Sequence, residues 1–233
     1  MRILIIGGSG RIGKLIIADA LTRNHTVTAL VRTPSALPQT PNLTIIQGTP
    51  TKVTDITKAI NSTPDLPTAI IIALASSRKT DSPFATPTSP PRLMTETNEA
   101  AIAAMRAASP TIKRLITISA FGVGDSRPFM FFPTRFFLDH SNVAFGYKDH
   151  NAVEVLVRRE GEKAQGDLEW TLVKPAMLSD GKEGEGKKAK VYGDSGEGIG
   201  RVPKISREAV AAFVVRECLE KGMWVRATPV IAE

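Results

Sequence analysis

The stretch from Arg2 to Gly13, RILIIGGSGRIG, limits what this chain can fold into more than any other. Ile3 to Ile6 form an apolar run of strand length that breaks at once into Gly7, Gly8, Ser9 and Gly10, as a buried strand does on entering a tight turn. Beyond the turn Ile12, Leu15, Ile16 and Ala20 recur at helical spacing, so the turn opens a helix packed on a sheet. The glycines divide the work. Gly7 permits the sharp turn, Gly10 lets a backbone approach a bound group, and Gly13 lets helix and strand pack closely. The first N–H groups of the helix and its dipole attract an anion. The loop therefore predicts a dinucleotide pyrophosphate held by Gly7, Ser9, Gly10, Arg11, Ile12 and Gly13.

About twenty residues further on, where the ribose of such a ligand belongs, the β-rich segment Thr26 to Val31 ends at Arg32, followed by Thr33 and Ser35 and no carboxylate. A carboxylate there would bond the 2′-hydroxyl of NAD, whereas a guanidinium matches a 2′-phosphate through paired charge-assisted bonds. The expected cofactor is NADP(H); a solvated arginine at a strand end is the plainer alternative. Leu43 to Gln47 predicts a third strand, and Thr51 to Ile60 an amphipathic helix with Val53, Ile56 and Ile60 inward. The run TAIIIAL, Thr68 to Leu74, predicts a central parallel strand with Ala73, Leu74 and Ala75 against the cofactor. Ser76 to Pro91, broken by four prolines, predicts a surface loop at the mouth of the site, suited to a lid.

A helix over Arg92 to Ala108 and strands at Lys113 to Ser119 and Trp170 to Lys174 follow. Ser206 then caps a last helix that buries Val210, Phe213, Val214 and Cys218. Val191 and Tyr192 suit a short strand, and Pro229 to Ala232 an edge strand. Strands alternating with helices give the expected class: α/β, a Rossmann-type doubly wound parallel sheet with helices on both faces and a small C-terminal substrate lobe. One domain is expected over 1–233, with a cofactor half at roughly 1–120, an insert at 121–146 and the lobe at 176–206.

Bulk properties narrow the partners. No charged segment precedes a hydrophobic one at the start, and no apolar run is long enough to span a bilayer, so a cytoplasmic protein with no membrane partner is expected. The one cysteine, Cys218, excludes an intramolecular disulfide and a Cys-based zinc site, and no metal is expected. A formal charge of +7 is matched by no nucleic-acid motif, and the adjacent Lys187 and Lys188 do not supply one. An anionic small molecule is the economical partner; a solvated basic surface is the alternative.

The segments GGSGRIG, LVRTPSAL, TISAFGVGD, DHNAVEVLVRREGE and WTLVKPAML resemble the atypical short-chain dehydrogenase/reductase superfamily. Within it the chain is most similar to small NmrA-like proteins and NADPH-dependent biliverdin IX-beta/flavin reductases, over nearly its whole length and most specifically in the cofactor half. The resemblance implies that Ser119, with Ala120 beside it, faces the nicotinamide and can polarise a substrate oxygen; a strand-end serine bonded to backbone is the alternative. It also implies that Lys174, Pro175 and Ala176 pass by the nicotinamide. Many relatives carry Tyr-x-x-x-Lys, but here Tyr147 is followed at that spacing by Asn151, and Lys148 lies off the shared helical face. His150 is the nearby titratable alternative, unless Asp149 before it merely marks a capped helix start.

Six of the nine phenylalanines, at 129, 131, 132, 136, 137 and 145, suit an aromatic-lined pocket, an interface patch or the packing of an appended helix. Arg127, Arg135 and His140 are near them, with nothing in the sequence to aim them. The expectation is an NADPH-dependent oxidoreductase, monomer or homodimer, that reduces a flat aromatic or conjugated small molecule such as a flavin, tetrapyrrole, quinone or polyketide-like compound. Ser119, Tyr147 and His150 are its candidate catalytic residues. The alternatives are an NmrA-like NADP-binding sensor without turnover and a redox-neutral isomerase on the same fold.

Overall fold

Strand β1 (Arg2–Ile6) is buried along its whole length, so it feeds both faces of a sheet. Ile3 and Ile5 pack on one side, Leu4 and Ile6 on the other, as the two-residue period of a covered strand demands. In the computed structural model, which describes residues 1–163, 168–181 and 188–233, β1 pairs in parallel with β2 (Thr26–Val31) and β4 (Ala69–Ile72). The sheet continues outward from β2 to β3 (Leu43–Gln47). From β4 it continues through β5 (Arg114–Ile118) and β6 (Glu169–Pro175) to β10 (Val230–Ala232), all parallel. The last strand, β8 (Lys190–Val191), runs antiparallel to β10. The order β3-β2-β1-β4-β5-β6-β10-β8 is a doubly wound sheet whose direction of winding reverses between β1 and β4. A separate two-stranded ribbon joins β7 (Met177–Ser179) to β9 (Lys204–Ser206).

Helices cover both faces. On the Ile3 and Ile5 side α1 (Arg11–Thr22) packs against α6 (Arg207–Phe213), which runs on as π-helical Val214–Glu220. On the Leu4 and Ile6 side lie α2 (Val53–Ile60), α3 (Leu93–Ala108) and α5 (Ala144–Glu162). Ser206 caps α6 by accepting the Ala209 N–H at 3.2 Å. Val210, Phe213, Val214 and Cys218 are buried behind it, and burial pushes the Cys218 thiol up to about 12, so this cysteine serves packing. Two strand-opening arginines hold helix ends in place. Arg2 donates to the Ala59 and Ile60 carbonyls at the end of α2, and Arg114 to the Cys218 and Met223 carbonyls after α6, which supplies donors that a helix C-terminus lacks.

Some expectations need correction. Val53 is exposed because α2 begins at Val53 itself and only Ile56, Ala59 and Ile60 face inward. Val230–Ala232 is no edge strand, since β6 and β8 flank it on both sides. Lys187 lies outside the described residues. Among those residues, no helix is long and apolar enough to cross a membrane.

Candidate functional site

The carboxyl ends of the strands, where a doubly wound sheet takes its ligands, line a cleft of about 480 Å³. After β1 come Gly7, Ser9, Gly10, Arg11 and Ile12; after β2, Arg32; after β4, Ala73, Leu74, Ala75, Ser76 and Arg78. Ile118, Ser119 and Ala120 follow from β5. Helix α5 contributes Gly146, Tyr147 and His150, the β7–β9 ribbon brings Leu178, and α6 brings its first residue, Arg207, directly after β9. A larger groove of about 680 Å³ beside α1 and α6 shares none of the glycine-loop residues and includes Asp19, Glu208 and Glu217 in its walls.

The loop geometry explains its glycines. Gly7 sits at φ +91°, and a Cβ there would stand 2.6 Å from the Ala73 carbonyl oxygen. A Cβ on Gly13 would collide with the Gly7 carbonyl, so Gly13 packs helix on strand and does not line the cleft. A Cβ on Gly10 would meet nothing closer than the Gly7 carbonyl at 3.3 Å. Helix α1 has neither a side-chain cap nor an acidic residue in its first turn, which leaves its N–H groups and dipole to an anion.

Charge and hydrogen bonding in the cleft point the same way. Arg11, Arg32, Arg78 and Arg207 line it, and no Asp or Glu among the described residues does. Ser76 Oγ, Ser119 Oγ and His150 Nδ1 are buried there without any partner. Buried polar atoms are rarely left so, and all three belong to residues that line the cleft. A dinucleotide with its anionic phosphates fits the glycine-loop end on these grounds.

Tyr147 and His150 do line the cleft, but neither is poised as an ordinary acid or base. The Tyr147 hydroxyl donates to the Phe121 carbonyl at 3.1 Å, and burial pushes it up to about 12 against the pull of Arg127. Burial brings His150 down to about 4, with Asp149 opposing. At the position of the family lysine, Asn151 accepts the Gly124 N–H at 3.0 Å and donates to the Tyr147 carbonyl at 2.8 Å. It is a strut between α5 and the loop after β5.

This observation places the chain among known proteins: a family model described as NAD(P)H-binding matches residues 7–221. The chain belongs to the NAD(P)H-binding family. Solved structures share its fold. ChuY of Escherichia coli O157:H7, described as an anaerobillin reductase, has a TM-score of 0.73 at 17% identity over 100% of this chain and 97% of that one. A short-chain dehydrogenase/reductase of Veillonella parvula, solved in complex with NADP, has a TM-score of 0.71 at 16% identity over 100% and 94%. A 3-beta-hydroxysteroid dehydrogenase of Mycolicibacterium neoaurum is 39% identical over 59 residues, which is 25% of this chain and 16% of that enzyme. The family member is thus an NAD(P)-binding protein with an oxidoreductase-type fold.

Several sequence expectations for this family member are corrected by the geometry. Lys174, Pro175 and Ala176 do not line the cleft. Lys174 alternates onto the same face of β6 as Trp170 and Leu172, fully buried, where it meets Glu154 of α5 at 2.9 Å and donates to the Val123 carbonyl at 3.0 Å. Asp149 marks no start of its own helix: inside α5, it accepts the Met94 and Thr95 N–H groups at 2.8 and 3.0 Å and so caps α3 from outside. None of the phenylalanines lines the cleft. Helix α4 (Phe132–Asp139) has no buried residue, and Phe132 and Phe136 are 64% and 55% exposed. Arg127 pairs with Asp139, Arg135 lies over the Phe132 ring, and His140 stacks on Phe136. Sequence reading missed Ser76, Arg78, Leu178 and Arg207. Ser76 was within reach of it, being next to Ala75 at a strand end; Arg207 carries no local signal and is set in place by the ribbon.

Proposed function

We propose that the chain is an NADPH-dependent reductase of a flat, conjugated small molecule. The observation that carries this reading is the cleft itself, which joins a glycine loop with Arg11 and Arg32, and no carboxylate, to the unpartnered Ser119 Oγ and His150 Nδ1. Gly7, Ser9, Gly10 and the first turn of α1 would hold the pyrophosphate, Arg32 the 2′-phosphate, and Ala73, Leu74 and Ala75 the dinucleotide's flank. NADPH supplies a hydride when bound. Ser119 Oγ donates to the substrate oxygen on which charge develops. Neutral His150 offers a second hydrogen bond, while Val143, Ala120 and Leu178 exclude water from one side. With the Tyr147 phenol committed to Phe121 and His150 uncharged at neutral pH, the site suits acceptors whose reduced form takes its proton from water. The NADP complex of the Veillonella protein and the reductase description of ChuY support this reading.

One observation favours a second reading, a sensor that binds NADP without turnover: Asn151 and Tyr147 are both spent on backbone groups. One experiment separates the two. Fluorescence titration with NADPH and NADH is followed by FMN, biliverdin and quinones while nicotinamide absorbance is recorded. Acceptor-dependent oxidation, lowered by about 10²-fold in Ser119→Ala, supports the reductase. Tight NADPH binding with no oxidation by any acceptor supports the sensor.

A further inference from the structure

Four arginines line the cleft, and they come from separate segments. Arg11 and Arg32 stand with the glycine loop, after β1 and β2. Arg78 comes from the segment after β4 and Arg207 from the start of α6, directly after the ribbon strand β9; the ribbon follows β6, the sheet neighbour of β5, and Ser119 stands just past the end of β5. We propose that Arg207, assisted by Arg78, anchors a carboxylate on the substrate, so that the molecule reduced here is a conjugated acid. The inference rests on the reading that this end of the cleft receives substrate.

Arg207 is built for such a task. The residue is 8% exposed, and its backbone is fixed by its neighbour. Ser206 donates through N–H and Oγ to the Glu233 carboxylate at 3.2 and 2.5 Å, and its Oγ also accepts from Ala209. Among the described residues, the Arg207 guanidinium has one ion-pair partner, Asp180, whose side chain is 77% exposed. A guanidinium has five donors in a planar fork. A largely buried one paired with a single carboxylate that stands in solvent can take a second carboxylate at little added desolvation, or exchange the first for it. Arg78 donates through Nε to the Ser82 carbonyl at 3.2 Å.

The rest of the wall fits the body of such a molecule. Val143, Ala120, Leu178 and the Tyr147 ring give it a flat apolar face, and Ser76 Oγ, Ser119 Oγ and His150 Nδ1 are neutral groups awaiting partners. Among the described residues no carboxylate lines the cleft, and Asp180, the partner of Arg207, stands mostly in solvent. The two arginines that the sequence offered for an acidic substrate are used elsewhere, Arg127 on Asp139 and Arg135 on Phe132.

The test is binding, not turnover. Protein saturated with NADP⁺ is titrated with 2-naphthoate and with its uncharged counterpart 2-naphthamide, followed by probe fluorescence. Wild type is expected to bind the acid at least tenfold more tightly than the amide, and Arg207→Gln to bring the two within about twofold, the size of one lost charge-assisted pair. Equal binding of the probes by wild type, or a preference that survives in Arg207→Gln, overturns the proposal. If Arg207→Gln does not fold, Asp180→Asn decides, because it removes the competing carboxylate at an exposed position. Tighter naphthoate binding supports the anchor; unchanged or weaker binding overturns it. NADPH titration of each protein keeps the failures apart. Wild type that binds no NADPH overturns the cofactor reading, whereas wild type that binds NADPH without preferring naphthoate overturns this inference alone.

Discussion

On one side of the cleft the β1–α1 turn is closed by backbone in contact with backbone: Gly13 against the Gly7 carbonyl, Gly7 against Ala73. Away from the cleft, α4 has no fully buried residue, only Leu138 packs partly against the core, and the rings of Phe132, Phe136, Phe137 and Phe84 are turned to solvent, with Phe84 and Phe137 meeting edge to face at 5.8 Å. A close-packed turn presents fixed N–H groups to an anion and has no slack for an added atom. A helix held by ring contacts and loop hydrogen bonds, such as the one from Asn142 Nδ2 to the Phe84 carbonyl at 2.8 Å, has slack and little stability to lose. The dinucleotide recognition proposed above uses the rigid turn.

The largest effect that sharpens this contrast is expected at Gly13→Val. The new side chain has nowhere to go but into the Gly7 carbonyl, so α1 must lift from β1. Soluble expression should fall sharply, and any protein recovered should bind NADPH more than 100-fold more weakly, read by circular dichroism and fluorescence titration. A variant with native melting and native affinity would show that the turn has slack after all.

Next comes Arg32→Ala, which touches no packing. The Arg32 side chain is exposed, and its backbone carbonyl accepts from Gln47 Nε2 at 3.3 Å, so the fold should be indifferent. NADPH affinity should fall by about 10- to 100-fold and NADH affinity should stay within about twofold. Equal losses for both nucleotides would remove the 2′-phosphate from the account.

The same contrast explains what could be read before the structure. Strand and helix positions in the cofactor half follow from periodicity, and the glycine spacing has one steric solution, so Gly7 and Gly13 were legible as residues with steric tasks. Lys174 was not, because the family's path past the nicotinamide says nothing about which side of β6 a residue takes; alternation puts it against Glu154. Asp149 was not, because a cap supplied across 55 residues to the start of α3 leaves no local mark. The phenylalanines were ambiguous for a physical reason: an aromatic cluster has the same composition whether it lines a pocket or faces water.

A smaller effect is expected from the loose side. Phe132→Ser with Phe136→Ser removes two rings that are mostly in solvent, and surface changes of this kind are worth about 0.5 kcal/mol or less, which moves Tm by about 2 °C or less in a chain of this size. A drop beyond about 5 °C that grows with protein concentration would mean that a second copy covers the patch.

The smallest effect concerns the one histidine in the cleft. Burial holds His150 at about 4, below its ordinary 6.5, against a weaker opposing pull from Asp149. The folded protein therefore keeps the ring neutral where the unfolded chain would already have taken a proton. The sign follows: the contribution of His150 to stability is full above pH 6.5, declines as the pH falls from 6.5 towards 4, and changes no further below that. Wild type should lose stability over that window, and His150→Gln should lose less, read by thermal melts at stepped pH. Between pH 6.5 and 8 neither NADPH binding nor turnover should inflect because of this ring, since its protonation state does not change there. An inflection near 6.5 that disappears in His150→Gln would show that water reaches the imidazole. It would also restore His150 as an acid or base at working pH.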